Sequence, residues 1–168
     1  EVLGSAEAGI KVILYKVNAI DPTDVEMLNE YYFETMHHEF AHILHQKKNY
    51  PTEYNQISAA DYSSTGWQNR TEQQAWKLGF VTPYAGMEPQ EDFVEVIANY
   101  LVKPDGFWEN MLANAGTEGA TKIQTKFDMV KEWLMTAWNI DIDELRTIII
   151  RRSGDIDSIL NEKIAYNE

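Results

Sequence analysis

The sequence predicts an α+β fold dominated by helix, with a short sheet packed on a helix that carries an H-E-x-x-H motif. Three observations predict it. A β-rich run lies near the start, a long amphipathic stretch containing His38-Glu39-Phe40-Ala41-His42 follows, and the C-terminal third has helical periodicity. At 168 residues the chain is long enough for one buried core, so residues 1–168 are read as a single domain. It opens at Glu1-Val2-Leu3-Gly4 without an initiator Met, which leads us to expect a segment lost from in front of it.

Ile10 to Val17 is rich in β-branched and aromatic residues and reads as a strand, with Asp21-Pro22 as the turn behind it. Thr23 and Glu26 have the form of a capping box, so a helix is expected to begin near Asp24. Its apolar positions run through Met27, Leu28, Tyr31, Tyr32, Met36, Phe40, Ile43 and Leu44, and it stops before Asn49-Tyr50-Pro51. Residues 51–69 are polar and irregular. A short helix covers Glu72 to Leu78 and ends at Gly79, and the stretch from Phe80 to Pro89 is loop. The next helix runs from Pro89 or Gln90 to Leu101, with Phe93, Val94, Ile97, Ala98 and Leu101 on its apolar side. Three more helices are expected, near Phe107 to Ala115, Thr117 to Trp138 and Ile142 to Arg152. Ile123, Phe127, Val130, Trp133 and Leu134 take core spacing in the second of these.

Composition narrows the function. The formal charge of −13, from 27 acidic and 14 basic residues, repels phosphate backbones and argues against nucleic acid as a partner. There is no cysteine, so disulfides and thiolate metal sites are excluded and any zinc must use His and carboxylate ligands. No apolar run approaches the roughly 20 residues that span a bilayer.

The motif carries the chemistry. Residues four apart lie one turn above each other on a helix, so His38 and His42 can aim imidazole nitrogens at one point about 2.0–2.1 Å away. Glu39, rotated about 100° from His38, falls beside that point, where a carboxylate can take a proton from water instead of ligating. A catalytic zinc needs a third protein ligand and an open fourth position. His45 lies on the same stripe, but seven residues of helix lift it about 10.5 Å from His38, so it reads as a packed or hydrogen-bonded histidine. His37 faces elsewhere. The third ligand is therefore expected to be Asp or Glu. The best candidate segment is Glu91-Asp92-Phe93-Val94-Glu95, with two carboxylates four apart on one helix face. Either the first binds metal while the second accepts the free N–H of a ligating imidazole, or the pair belongs to a solvated acidic face with Glu88 and Asp92.

These two helices resemble those of the gluzincin metallopeptidases typified by thermolysin. Over most of the chain, from Ile10 onward, the sequence is similar to the zinc-binding metallopeptidases found among surface lipoproteins of Bacteroidetes. There the zinc helix reads much like His38-Glu39-Phe40-Ala41-His42-Ile43-Leu44-His45-Gln46, and the second helix carries Ala where this chain has Val94. Anthrax lethal factor has a similar Glu-Phe-Phe-Ala-Glu element, with a catalytic Tyr seven residues before its zinc-binding Glu; Tyr84 stands at that distance before Glu91. The resemblance implies a zincin-like metallopeptidase domain that holds Zn²⁺ through His38, His42 and Glu91. It makes Glu95 the acceptor for a ligating imidazole, Glu39 the general base and Tyr84 an oxyanion donor.

The implied activity is zinc-dependent hydrolysis of peptide bonds in a peptide or protein substrate, through a metal-bound water activated by Glu39. The strand from Ile10 to Val17 is expected to lie along the cleft beside the substrate backbone. The alternative is a non-catalytic surface module that keeps a zinc site and binds peptide or glycan, with Trp67, Trp76 and Trp108 as aromatic surface. The resemblance also implies an extracytoplasmic location, at the cell surface or in the periplasm, with membrane attachment only through an N-terminal lipid anchor lying outside this sequence.

Overall fold

The computed structural model describes residues 2–165. The architecture is α+β and mostly helical: a two-stranded antiparallel hairpin is followed by a long composite helix, and then by five further α-helices joined by loops and 3-10 turns.

The hairpin pairs β1 (Gly4–Glu7) with β2 (Lys11–Leu14), in the register Gly4↔Leu14 to Glu7↔Lys11. Its turn takes φ 52° at Ala8 and 65° at Gly9, the positive values that tight hairpin turns require. The expected strand from Ile10 to Val17 is thus shortened to β2, because Ile10 sits in the turn and Val17 starts a 3-10 turn, Val17–Ala19. Strand β1 escapes the sequence reading because Gly-Ser-Ala-Glu holds no β-branched or aromatic residue.

Asp24 caps the helix that follows by accepting from the Met27 N–H at 2.9 Å. This replaces the expected Thr23 cap, since the Thr23 hydroxyl is spent on Asp21 Oδ1 at 2.7 Å. The helix begins as α1 (Val25–Met27), widens into a π segment over Leu28–Phe33, and continues as α2 (Glu34–Lys47). The Glu34 N–H bonds back to the Asn29 carbonyl, five residues earlier, and that extra residue rotates α2 relative to the preceding turns. The face turned inward on α2 is His38, Glu39, Ala41, Leu44 and His45, whereas Phe40 remains 51% exposed. The apolar positions read from the sequence therefore do not mark the buried face at Phe40; polar residues with chemistry occupy that face.

Helix α3 (Glu72–Leu78) opens with a Thr71–Gln74 capping box and closes on Gly79 at φ 89°. Helix α4 (Pro89–Val102) is buried along most of its length, with Phe93, Val94, Val96 and Ala98 fully enclosed, and it is the principal neighbour of α2. Helices α5 (Phe107–Asn114) and α6 (Gly116–Trp138) complete the core, which includes Ile123, Phe127, Val130, Trp133 and Leu134 as the periodicity indicates. Helix α7 (Ile142–Ala165) runs past the expected end at Arg152, because Ser153-Gly154 is accommodated inside the helix at the modest cost of a mid-helix glycine. None of the described helices is long and apolar enough to cross a membrane.

Candidate metal centre

Helices α2 and α4 lie side by side and bring three side chains to one point. His38 Nε2 is 3.1 Å from Glu91 Oε2, His42 Nε2 is 3.4 Å from the same oxygen, and the two imidazole nitrogens are 3.2 Å apart. Ligand atoms with bonds of 2.0–2.1 Å at tetrahedral angles stand about 3.3 Å from one another. The three atoms already have that spacing, and among the described residues His38, His42 and Glu91 form the group that can hold a metal ion.

The donor chemistry agrees. Glu91 Oε2 is buried and accepts no well-aligned hydrogen bond, even though two ring nitrogens lie within 3.4 Å of it. A buried acceptor without a donor is costly. Three electron-pair donors converging on one small space call for a cation, and a His-His-carboxylate set without sulfur suits zinc.

Each ring is oriented from behind. His38 Nδ1–H donates to Glu95 Oε1 at 2.8 Å, which leaves the Nε2 lone pair for the converging point. Glu95 is itself fixed: the Thr82 hydroxyl donates to its Oε2 at 2.5 Å, and the Asn99 amide donates to its carbonyl at 3.0 Å. Burial alone would push His38 down, but the Glu91 and Glu95 carboxylates outweigh it and hold the imidazole up to about 10 when no metal is present. Glu91 responds in the opposite sense: although burial raises it, the contacts with His38 and His42 bring it well below the usual carboxylate range. In the metal-free site, a proton on His38 takes the place of the cation.

Glu39 faces the same space. Burial pushes its carboxyl up, and the His38 and His42 charges oppose this without reversing it. Glu39, His38, Trp67 and Tyr84 line a cleft of about 500 Å³ that also takes in Val2, Leu3 and Gly4. No β2 residue lines it, so the expectation that Ile10 to Val17 follows the cleft is corrected: the segment leading into β1 does so.

Tyr84 sits in a 3-10 turn, Tyr84–Gly86, with its ring 6.0 Å from that of His38 and edge-on to Trp67 at 5.0 Å. Burial first, and then the Glu91 charge, push its phenol up, so it stays protonated and able to donate. The same loop carries Thr82, whose hydroxyl also accepts from the Ala85 N–H at 3.1 Å. Thr82 gives no sequence signal, since a threonine before a Pro-Tyr turn has no periodicity or spacing to mark it.

His45 is 7% exposed, and its Nε2 lies 2.8 Å from His42 Nδ1, so it is hydrogen-bonded and packed as expected and does not join the three converging atoms. Asp92 departs from the solvated-face alternative: it is fully enclosed, paired with Lys126 at 2.6 Å and accepting from the Tyr62 hydroxyl at 2.7 Å. Of the three tryptophans considered for a glycan surface, Trp76 is buried and donates to the Val81 carbonyl at 3.0 Å, while Trp108 packs on Phe127 at 4.8 Å. Only Trp67 of these reaches the cleft.

A family model described as "Putative zinc-binding metallo-peptidase" matches residues 1–143. Among solved structures, the crystal structure of a putative zinc-binding metallo-peptidase from Bacteroides caccae ATCC 43185 is 52% identical and superposes with a TM-score of 0.83, over 94% of this chain and 60% of that one. This chain therefore spans about 60% of that relative's length. No curated protein matches. With 143 residues matched and more than half its aligned positions shared with that relative, the chain belongs to the family described as "Putative zinc-binding metallo-peptidase".

Proposed function

We propose that this protein is a zinc-dependent metallopeptidase of the gluzincin type, with a zincin-like fold in which the hairpin lies on the H-E-x-x-H helix. His38, His42 and Glu91 hold the ion. The observation that carries the reading is the convergence of His38 Nε2, His42 Nε2 and the unsatisfied Glu91 Oε2 at 3.1–3.4 Å, with Glu39 beside them on an open cleft.

When bound, the ion supplies Lewis acidity that polarises a peptide carbonyl and makes water acidic near neutral pH. The protein does the rest. Glu39 takes a proton from the attacking water and passes it to the leaving amine. Tyr84 donates to the oxyanion that develops on the carbonyl, a contact of a kind worth about 2.7–4 kcal/mol. Glu95 keeps the His38 ring in its ligating tautomer, and Thr82 and Asn99 keep Glu95 in place. A purely structural zinc would call for a fourth protein ligand, and among the described residues the group that can hold a metal has three.

The test is hydrolysis of a broad fluorogenic peptide library by zinc-loaded protein and by its Glu39→Gln variant. Cleavage that disappears in the variant while zinc is retained supports the reading. Undiminished cleavage by zinc-loaded Glu39→Gln would refute Glu39 as the base.

A further inference from the structure

The two ligating histidines of this centre are oriented differently. His38 is backed by a carboxylate, Glu95, whereas the ring nitrogen of His42 that faces away from the metal point meets another imidazole, His45 Nε2 at 2.8 Å. Glu95 is the conventional arrangement and His45 is not: the spacing is three residues along one helix, so both partners are carried by the last turns of α2.

The direction of that hydrogen bond decides whether the site works. If His45 Nε2 carried the proton and donated, His42 would accept on Nδ1 and carry its own proton on Nε2, aimed at His38 Nε2 and Glu91 Oε2. No cation could then use that nitrogen. If His45 Nε2 carries the lone pair, His42 Nδ1–H donates to it and His42 Nε2 is free to ligate.

The surroundings of His45 hold its ring in one orientation. It packs edge-on against Tyr50 at 5.7 Å and against Phe93 at 6.5 Å. Phe93 is fully enclosed and stacks on Tyr50 at 4.2 Å, with its ring planes only 11° apart. It also lies between Glu91 and Glu95 on α4. The same helix thus supports both imidazoles, His38 through the Glu95 carboxylate and His42 through an aromatic clamp on His45.

We propose that His45 is the positioning residue for His42, accepting its Nδ1–H and so presenting the His42 Nε2 lone pair to the metal. The direction of this hydrogen bond rests on the reading of His42 as a metal ligand, and the identity of the ion as zinc on the metallopeptidase reading above.

Two substitutions separate this role from packing. His45→Phe keeps a ring in the Tyr50–Phe93 clamp and removes the acceptor, whereas His45→Gln restores an acceptor oxygen near the Nε2 position. Zinc affinity is measured by competition with a chromophoric chelator, and the tautomer by nitrogen-15 NMR of the histidine rings in the metal-free protein. The expected results are a loss of about 10–100-fold in zinc affinity for His45→Phe, recovery of most of that loss in His45→Gln, and a wild-type His42 whose proton resides on Nδ1. Wild-type affinity in His45→Phe, or an equal loss in both variants, would overturn the proposal. So would a wild-type His42 protonated on Nε2. If the wild type bound no zinc, the metallopeptidase reading would fall, and the NMR result would still uphold or overturn the role of His45.

Discussion

Gly4 lies so close over Glu39 that a Cβ added there would stand 2.6 Å from Glu39 Cγ and 2.8 Å from its Oε1. The start of β1 thus limits where the carboxylate can go, and Gly4 fits because it carries nothing on that side. Gly4→Ala is expected to displace Glu39 while leaving His38, His42 and Glu91 untouched. A displacement near 1 Å costs about 10²-fold in rate, so kcat should fall on that order with zinc content unchanged. Steady-state kinetics beside metal analysis of the variant checks this.

Metal uptake should expel a proton. In the metal-free protein His38 sits at about 10, above its ordinary 6.5, so its charge-dependent stabilisation is fully present below about pH 6.5 and is lost as pH rises through about 10. Near pH 7 the site is therefore protonated, and zinc displaces about one proton from it. Apparent affinity should rise about tenfold per pH unit across this window. Calorimetric titration in buffers of different ionisation enthalpy measures the proton count; a count near zero would contradict the assignment.

Behind the ligand helix, Asp92 and Lys126 form an ion pair from which both side chains are fully excluded from solvent, and the ammonium also donates to the Gly79 carbonyl at 2.7 Å. Removing one partner strands the other's charge. Lys126→Met is expected to cost about 3–5 kcal/mol in urea unfolding of the metal-free protein, and adding Asp92→Leu should recover most of it. An unchanged midpoint in the single variant would show that the pair contributes nothing.

The sequence made some of this visible, for reasons that differ by element. Phe93, Val94, Ile97, Ile123, Phe127 and Val130 repeat at helical spacing, and all are buried in α4 and α6. His38 with His42, and Glu91 with Glu95, could be paired because four residues bring side chains to one helix face. Features that depend on contacts between distant segments were not legible. Thr82 reaches Glu95 across a loop, Asp92 is neutralised by Lys126 from another helix, and the π turn at Leu28–Phe33 changes which residues of α2 face inward. β1 lacks strand-forming side chains and exists through its pairing with β2 and the hold of Gln46 Oε1 on the Gly9 N–H at 2.6 Å.

The most direct measurement is the zinc content of the purified, zinc-reconstituted protein beside that of its Glu91→Ala variant, by elemental analysis after gel filtration. Glu91 is the ligand furthest in sequence from the motif, and its Oε2 is buried without a hydrogen bond. One zinc per wild-type chain and close to none in the variant is the expected result. A wild type that holds no zinc, or a variant that holds as much as the wild type, would contradict a centre built from His38, His42 and Glu91.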